Sequence, residues 1–330
     1  MVARYSHFLV MWICVLVCAG LSLAQESTPA RQFDTPAPQE ADYTGIVITK
    51  RVDVVNIVFT VTDKKGRFVS NLPQNSFQLL DNHQAPQTVE YFQQQSNLPL
   101  RVALLVDLSD SIRGRFKFEQ DAASVFLKKV LRPGKDEAFV IGFDQHVHVI
   151  HDTSGDVRKL SSAIHHMNAG GNTALYDAII RASNKLRATS NGTITRKAII
   201  LITDGMDTAS KSNLNDAVQA AERAEAVVYV LSTNDLRENP HPKGDQVLAE
   251  LATPTGGHIL PAREESELKY GFSHIEKALR SQYAMGYHPA DFRSDGAFRA
   301  IEINAQNSDL KVQCRRGYFA PRELVAHFFY

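Results

Sequence analysis

The pattern of apolar and polar positions changes near residue 100. Before that point, residues 46–63 alternate apolar with polar side chains, and short apolar runs follow around Phe77 and Val89. Alternation with a period of two is typical of strands that bury one face. Residues 46–95 are therefore predicted to form an N-terminal β segment.

Uninterrupted apolar runs alternate with stretches of helical spacing from residue 100 to residue 281. The runs at residues 102–106 and 198–203 are almost free of polar side chains. Such runs are typical of parallel strands that are buried on both faces. Strands that alternate with helices predict a doubly wound α/β domain with a mostly parallel, Rossmann-like sheet over residues 100–281.

The chain returns to β character over residues 282–330, with the clearest strands at 283–287 and 298–303. Neither this segment nor residues 46–95 is long enough to build a stable core alone. We therefore expect the two segments to pack together as one β-sandwich, with the α/β domain inserted between them.

The first 24 residues have the pattern of a secretory signal peptide. Arg4 precedes an uncharged run at 8–24, and small side chains occupy positions 22 and 24 before polar Gln25. This pattern predicts cleavage after Ala24, export to the periplasm, cell surface or medium, and no membrane span afterwards. An uncleaved signal anchor is the alternative, although the run is slightly shorter than the roughly 20 residues of a typical span. Residues 25–45, which are rich in Pro and Gln, are predicted to be a flexible leader.

Composition narrows the possible partners. The chain has 330 residues, with 36 Lys and Arg against 36 Asp and Glu, so it lacks the basic surplus of a nucleic-acid-binding protein. Signal cleavage would remove two of the three cysteines and leave Cys314. The exported chain is then expected to have no intramolecular disulfide.

Oxygen-bearing side chains follow the predicted strands at positions that suit a metal ion. Asp107, Ser109 and Ser111 come directly after one strand, Thr173 precedes a helix, and Asp204 follows another strand. Because the carboxyl ends of parallel strands share one edge, these side chains are expected to meet there. Carboxylate and hydroxyl oxygens suit hard cations such as Mg²⁺. The alternative is that they only cap helices and close turns.

The order and context of Asp107, Ser109, Ser111, Thr173 and Asp204 resemble the metal-ion-dependent adhesion site of von Willebrand factor type A (VWA) domains. This resemblance implies that the three hydroxyls coordinate Mg²⁺, with Mn²⁺ or Ca²⁺ as alternatives, and that the aspartates act largely through water. It also implies that a protein partner supplies an Asp or Glu carboxylate to complete the coordination.

The flanking segments are similar to a narrower group, the secreted VWA-related proteins of acidobacteria. The similarity lies in residues 61–66 and 77–81 before the domain, and in residues 280–287 and 316–318 after it. Asp110 departs from the usual pattern, in which a small glycine lies between the two serines.

These features predict an exported binding or adhesion module. One alternative is a structural subunit of an envelope or secretion assembly whose metal only stabilises the loops. A metal-dependent hydrolase is the third interpretation, and it is disfavoured because no nucleophile has an assigned base. The chain is therefore expected not to be an enzyme.

Histidines suggest a second metal hypothesis. His146 and His148 would lie on one face of a strand, and with His165 or His166 they could hold zinc. Their spacing matches no recognised zinc motif, and an exposed edge strand accepts histidines freely. His151 lies on the same stretch.

Overall fold

We analysed a computed structural model of the chain. The predicted signal peptide (1–24), the leader (25–45) and Ser111 lie outside the described residues. All described residues belong to the unit Arg51–Tyr330. The described residues are 54–94, 98–110, 113–188, 195–234 and 242–322.

The elements of this unit follow one another in the order that the sequence pattern predicts for most of the chain. The strands are β1 (Val55–Asp63), β2 (Phe77–Asp81), β3 (Thr88–Gln94), β4 (Leu100–Asp107), β5 (Glu137–Phe143), β6 (Val147–Ser154), β7 (Arg196–Thr203), β8 (Ala226–Ser232), β9 (Ile259–Pro261), β10 (Tyr283–His288), β11 (Phe298–Ala305), β12 (Leu310–Cys314) and β13 (Gly317–Phe319). The α-helices are α1 (Phe116–Val130), α2 (Val157–His165), α3 (Leu175–Ala188), α4 (Leu214–Ala224), α5 (Pro242–Ala252) and α6 (Glu265–Arg280).

A six-stranded sheet forms the centre of the α/β part, in the order β6-β5-β4-β7-β8-β9. Its strands are parallel except β6, which runs antiparallel at one edge. Helices α1, α2 and α6 cover one face, and α3, α4 and α5 cover the other. The predicted doubly wound, mostly parallel fold is confirmed.

Burial on both faces explains the uninterrupted apolar run of β4. Side chains alternate across a strand, so Val102 and Leu104 enter the core on one face, whereas Ala103 and Leu105 enter the core on the other. All four are fully buried. No position of this run faces solvent, and a polar side chain there would lose its hydration.

Strands from both ends of the described chain build two antiparallel sheets beside the α/β part. The first has the order β12-β1-β10-β3, and the second has the order β13-β11-β2. Their shared core includes Phe59 of β1, whose ring stacks on Tyr283 of β10 at a centroid distance of 5.4 Å. These flanking sheets confirm the predicted fold class, in which N- and C-terminal segments combine.

Two connections of the chain and two ion pairs join the α/β part to the flanking sheets. Gln94, at the end of β3, pairs with Tyr283 at the start of β10, so the chain enters and leaves the α/β part at neighbouring positions. Arg316 Nε donates to Glu222 Oε1 of α4 over 2.6 Å. The buried Glu222 carboxylate is thereby neutralised by the segment between β12 and β13.

None of the helices in the described part of the chain has both the length and the apolar character that a membrane span requires.

A half-buried histidine connects the sheet edge to α6. The His258 ring, directly before β9, lies edge-on to Tyr229 at 5.3 Å and to His274 of α6 at 5.0 Å. Neither ring nitrogen has a hydrogen-bond partner among the described residues. Burial, with the nearby His274 and Lys311 charges, lowers the pKa of His258 to about 4.

We expect His258→Phe to remove part of the acid sensitivity of the fold. Because the pKa is depressed in the folded state, the unfolded chain takes up a proton first as the pH falls. The free energy of unfolding is therefore unaffected by His258 above pH 6.5 and falls as the pH drops towards 4. The pKa difference between the unfolded and folded states corresponds to a loss of about 3 kcal/mol. Urea unfolding of both proteins at pH 7 and pH 4 measures the difference.

His165→Gln is the matched control. A hydrogen bond to the Ser161 carbonyl and another to Asp121 raise the pKa of His165, so its contribution has the opposite sign. This variant should keep the acid-induced loss that His258 causes. Equal acid sensitivity of His258→Phe and the parent protein would contradict the prediction.

Candidate metal centre

The parallel register brings Asp107 and Asp204 to the same edge of the sheet. Asp107 is the last residue of β4 and Asp204 follows β7, and the two strands pair with Val106 opposite Ile202. Asp107 is fully buried, and both of its carboxylate oxygens accept hydrogen bonds. Thr203 Oγ1 donates to Oδ2 over 2.6 Å, and the Ser109 amide donates to Oδ1 over 2.8 Å.

Backbone hydrogen bonds attach the Thr173 loop to the loops that follow β4 and β7. The Gly170 amide donates to the Leu108 carbonyl over 2.5 Å. On the other side, the Thr173 amide donates to Thr208 Oγ1 over 3.0 Å, and the Thr208 amide donates to the Thr173 carbonyl over 2.9 Å. Three loops that are distant in sequence therefore meet at one edge.

Four of the five sequence-predicted ligands lie on these connected loops. Asp107, Ser109, Thr173 and Asp204 are all less than a tenth exposed. The fifth, Ser111, is outside the part of the chain that the structure describes. Coordination by these residues stays a prediction.

Carboxyl groups outnumber positive charges at this edge. The pKa of Asp107 is raised to about 6, because burial and the negative charge of Asp204 outweigh the hydrogen bonds from Thr203 and Ser109. Glu119 of α1 is fully buried, and its pKa is raised to about 8, because burial and the charges of Asp107 and Asp204 outweigh the positive charge of Arg115.

The positive charge of Arg115 only partly compensates these carboxyl groups. Its Nε lies 3.4 Å from Glu119 Oε1, and its Nη2 donates to the Thr233 carbonyl over 2.7 Å. Neither carboxyl oxygen of Glu119 has a hydrogen-bond partner among the described residues. Buried oxygen donors that lack positive charge are the environment a divalent cation stabilises, so the residues present fit a hard metal ion.

Comparison with known families agrees with this geometry. Residues 102–206, which run from β4 to the loop after β7, match the family model of the von Willebrand factor type A domain. The chain contains a VWA domain. Domains of this family commonly bind a metal ion. No curated protein matches the chain.

Several solved structures match part of the chain at low sequence identity. The vWF domain of the type V pili tip protein Mfa5 from Porphyromonas gingivalis is 14% identical over 56% of this chain and 95% of its own, with a TM-score of 0.47. A von Willebrand factor type A protein from Catenulispora acidiphila is 13% identical over 76% of each chain, with a TM-score of 0.47.

The PilB minor pilin from Streptococcus sanguinis is 14% identical over 57% of this chain, with a TM-score of 0.43. Only 62% of the PilB chain is covered, less than two thirds of its length. The narrower resemblance to the acidobacterial group stays a prediction.

Asp207 is not one of the predicted ligands, but it binds the start of α3, close to Thr173 along the chain. Its Oδ1 accepts hydrogen bonds from the amides of Leu175 at 2.9 Å and Tyr176 at 3.4 Å, and from Ser210 Oγ at 2.6 Å. Asp207 thus satisfies the first amides of α3 from a distant loop, as a capping side chain does. Sequence reasoning missed this role because the cap and its helix are far apart along the chain.

Glycines let α5 approach Asp204 closely. Gly205 has a φ of +84°, and a Cβ there would lie 2.6 Å from the Gly244 carbonyl oxygen. A Cβ on Gly244 would lie 2.4 Å from the Asp204 carbonyl oxygen. Larger side chains at either position would push α5 away from the loop that carries Asp204.

The remaining sequence candidates bond to groups outside the predicted ligand set. Asp110, the departure from the family pattern, is exposed and forms an ion pair with Arg113 at 2.5 Å. His165 bonds to Asp121 on α1, and His166 bonds to the Ser162 carbonyl. Neither belongs to the group of potential metal ligands around His146 and His148, whose third member is Asp144.

Cys314 lies in β12, in the flanking sheets. Burial raises the pKa of its thiol to about 11, so the thiol stays protonated and unreactive at neutral pH.

Proposed function

We propose that the chain is an exported binding module that uses Mg²⁺ at the VWA edge to bind an acidic group of a protein partner. The ligands would be Asp107, Ser109, Ser111, Thr173 and Asp204, with Mn²⁺ or Ca²⁺ as alternative ions. The main support is the group of buried carboxyls at the sheet edge, which Arg115 only partly compensates. No catalytic activity is proposed.

In this proposal the aspartates supply negative charge and the hydroxyls supply neutral ligands. The Asp107 carboxylate, held by Thr203 and Ser109, and the Asp204 carboxylate would together balance the two charges of the ion. The hydroxyls of Ser109 and Thr173 are neutral donors, so they would add no further negative charge. A bound Mg²⁺ with this ligand set supplies a Lewis-acidic coordination position, which a partner carboxylate fits best.

Overall charge gives little long-range guidance to a partner. The 36 basic and 36 acidic residues balance, so a strong steering field is not expected. Recognition would then depend on short-range contacts at the metal edge. Metal and partner would each strengthen the binding of the other, because the two equilibria are linked.

Selection from a displayed library of random peptides on the immobilised protein in Mg²⁺ tests this function. We expect the enriched peptides to share an Asp or Glu, to be released by EDTA, and to lose binding when that residue becomes Asn or Gln. Asp204→Asn protein should retain none of them. Peptides without an acidic residue, or binding that survives EDTA, would refute the mechanism. If Mg²⁺ stabilises the protein but no peptides with Asp or Glu are enriched, the structural-subunit alternative is favoured.

A further inference from the structure

The turn between β5 and β6 is closed by reciprocal hydrogen bonds. The Asp144 amide donates to the His146 carbonyl over 3.0 Å, and the His146 amide donates to Asp144 Oδ1 over 2.7 Å. His146 lies in this turn and His148 is the second residue of β6. The sequence-based expectation that both histidines lie within a strand is therefore wrong for His146. The turn folds its imidazole back towards the Asp144 carboxylate.

Three potential metal ligands converge at this turn. Asp144 Oδ1 lies 3.2 Å from His148 Nε2 and 3.9 Å from His146 Nδ1, and the ligand atoms of all three residues lie within 4.8 Å of one another. Ligands about 2.0–2.2 Å from a tetrahedral zinc are about 3.3–3.5 Å apart. Asp144 Oδ1 and His148 Nε2, 3.2 Å apart, have almost this spacing already. Rotation of the exposed imidazoles would bring the other pairs of ligand atoms to it.

We propose that Asp144, His146 and His148 form a second metal site, specific for a borderline divalent ion of the Zn²⁺ class. Two imidazole nitrogens and one carboxylate oxygen suit Zn²⁺, whereas Mg²⁺ prefers ligands that are all oxygen. Three protein ligands leave a fourth position for water or an external donor. This site shares no ligand with the proposed Mg²⁺ site and does not depend on it.

The backbone of Asp144 is held in place by contacts with residues 171 and 174. The Asp144 carbonyl accepts the Ala174 amide over 2.6 Å, and the Gly171 backbone packs so closely that a Cβ there would lie 3.3 Å from Asp144 Cβ. The Asp144 side chain is only 21% exposed, whereas those of His146 and His148 are 71% and 47% exposed. An anchored carboxylate with two accessible imidazoles needs little reorganisation to receive an ion.

Calorimetric titration of the full chain with Zn²⁺, in excess Mg²⁺ to occupy the other site, tests the proposal. We expect one Zn²⁺ per chain with a dissociation constant in the micromolar range or tighter. His148→Ala and Asp144→Asn should each weaken Zn²⁺ at least about tenfold. The asparagine of the second variant can still accept the His146 amide, so that variant tests the charge while keeping the turn.

His165→Ala is the matched control, because it removes another histidine–aspartate pair, His165 with Asp121, outside the proposed site. It should leave Zn²⁺ affinity unchanged. Co²⁺ in place of Zn²⁺ should give the visible absorption of a four-coordinate site, and His146→Ala should abolish it. Thermal unfolding in EDTA checks that every variant is folded.

The two metal proposals can fail separately. Asp204→Asn should lose Mg²⁺ stabilisation and keep Zn²⁺ binding. No saturable Zn²⁺ binding by the parent protein would overturn the zinc proposal, as would His148→Ala binding Zn²⁺ as tightly as the parent does. If only Asp204→Asn loses Zn²⁺ binding, the Zn²⁺ is bound at the edge that carries Asp107 and Asp204 instead.

Discussion

Asp204→Asn is expected to abolish the stabilisation that Mg²⁺ gives the protein. In the parent, Mg²⁺ at about 100 times its dissociation constant should raise the free energy of unfolding by about 2.7 kcal/mol. The variant leaves Asp107 as the single carboxylate among the proposed ligands, so its Mg²⁺ affinity should collapse. Asparagine can still accept the Met206 amide, which donates to Asp204 Oδ1 over 3.0 Å. Thermal unfolding with and without Mg²⁺ measures the effect.

In EDTA the same substitution should be neutral or stabilising. The charge of Asp204 raises the pKa of the buried Asp107, which means that the two carboxylates repel each other without a cation between them. Asp207→Asn is the control, since it removes a charge from the same loop and keeps an oxygen to cap α3. Equal Mg²⁺ stabilisation of Asp204→Asn and the parent would exclude Asp204 from the site.

Phe59→Ala is expected to lower the free energy of unfolding by about 3–5 kcal/mol. The Phe59 ring is 1% exposed and has neighbours on three other strands, with centroid distances of 5.1 Å to Phe77, 6.5 Å to Phe92 and 5.4 Å to Tyr283. Its removal leaves a cavity where strands from both ends of the described chain meet. Urea unfolding followed by circular dichroism measures the loss.

Val125→Ala is the control for that experiment, because Val125 on α1 is 52% exposed and should change stability by no more than about 0.5 kcal/mol. Limited proteolysis of Phe59→Ala should cut β1–β3 and β10–β13 together, since they share both sheets. Continued protection of β10–β13 after β1–β3 are cut would show that the C-terminal strands fold without the N-terminal ones.

The α/β fold could be predicted because each buried strand is visible in a short, continuous stretch of the sequence. A strand buried on both faces has few polar side chains between its ends, so the run at residues 102–106 predicts both the strand and its central place. The position of Asp107 and Asp204 at one edge then follows from parallel topology. The sequence pattern does not predict strands β12 and β13, because they are short and many of their side chains are half-exposed.

Roles that depend on long-range contacts could not be predicted in this way. Glu119 has the spacing of an ordinary helical position, and only the packed fold places its carboxyl in the field of Asp107 and Asp204. Asp207 caps a helix that begins more than thirty residues earlier. Asp144 joins His146 and His148 because of the shape of one turn, whereas the sequence analysis combined these two histidines with His165 or His166.

The attachment of the VWA domain determines how it would transmit force. The chain leaves the flanking sheets after Gln94 and returns at Tyr283, opposite it, so both connections lie side by side. Strand β4 begins at Leu100, a few residues after Gln94, and ends at Asp107, in the candidate metal centre. A pull on a bound partner would therefore run along β4 and load its hydrogen bonds to β5 and β7 together, in shear. Hydrogen bonds that are loaded together resist tension better than hydrogen bonds that open one after another.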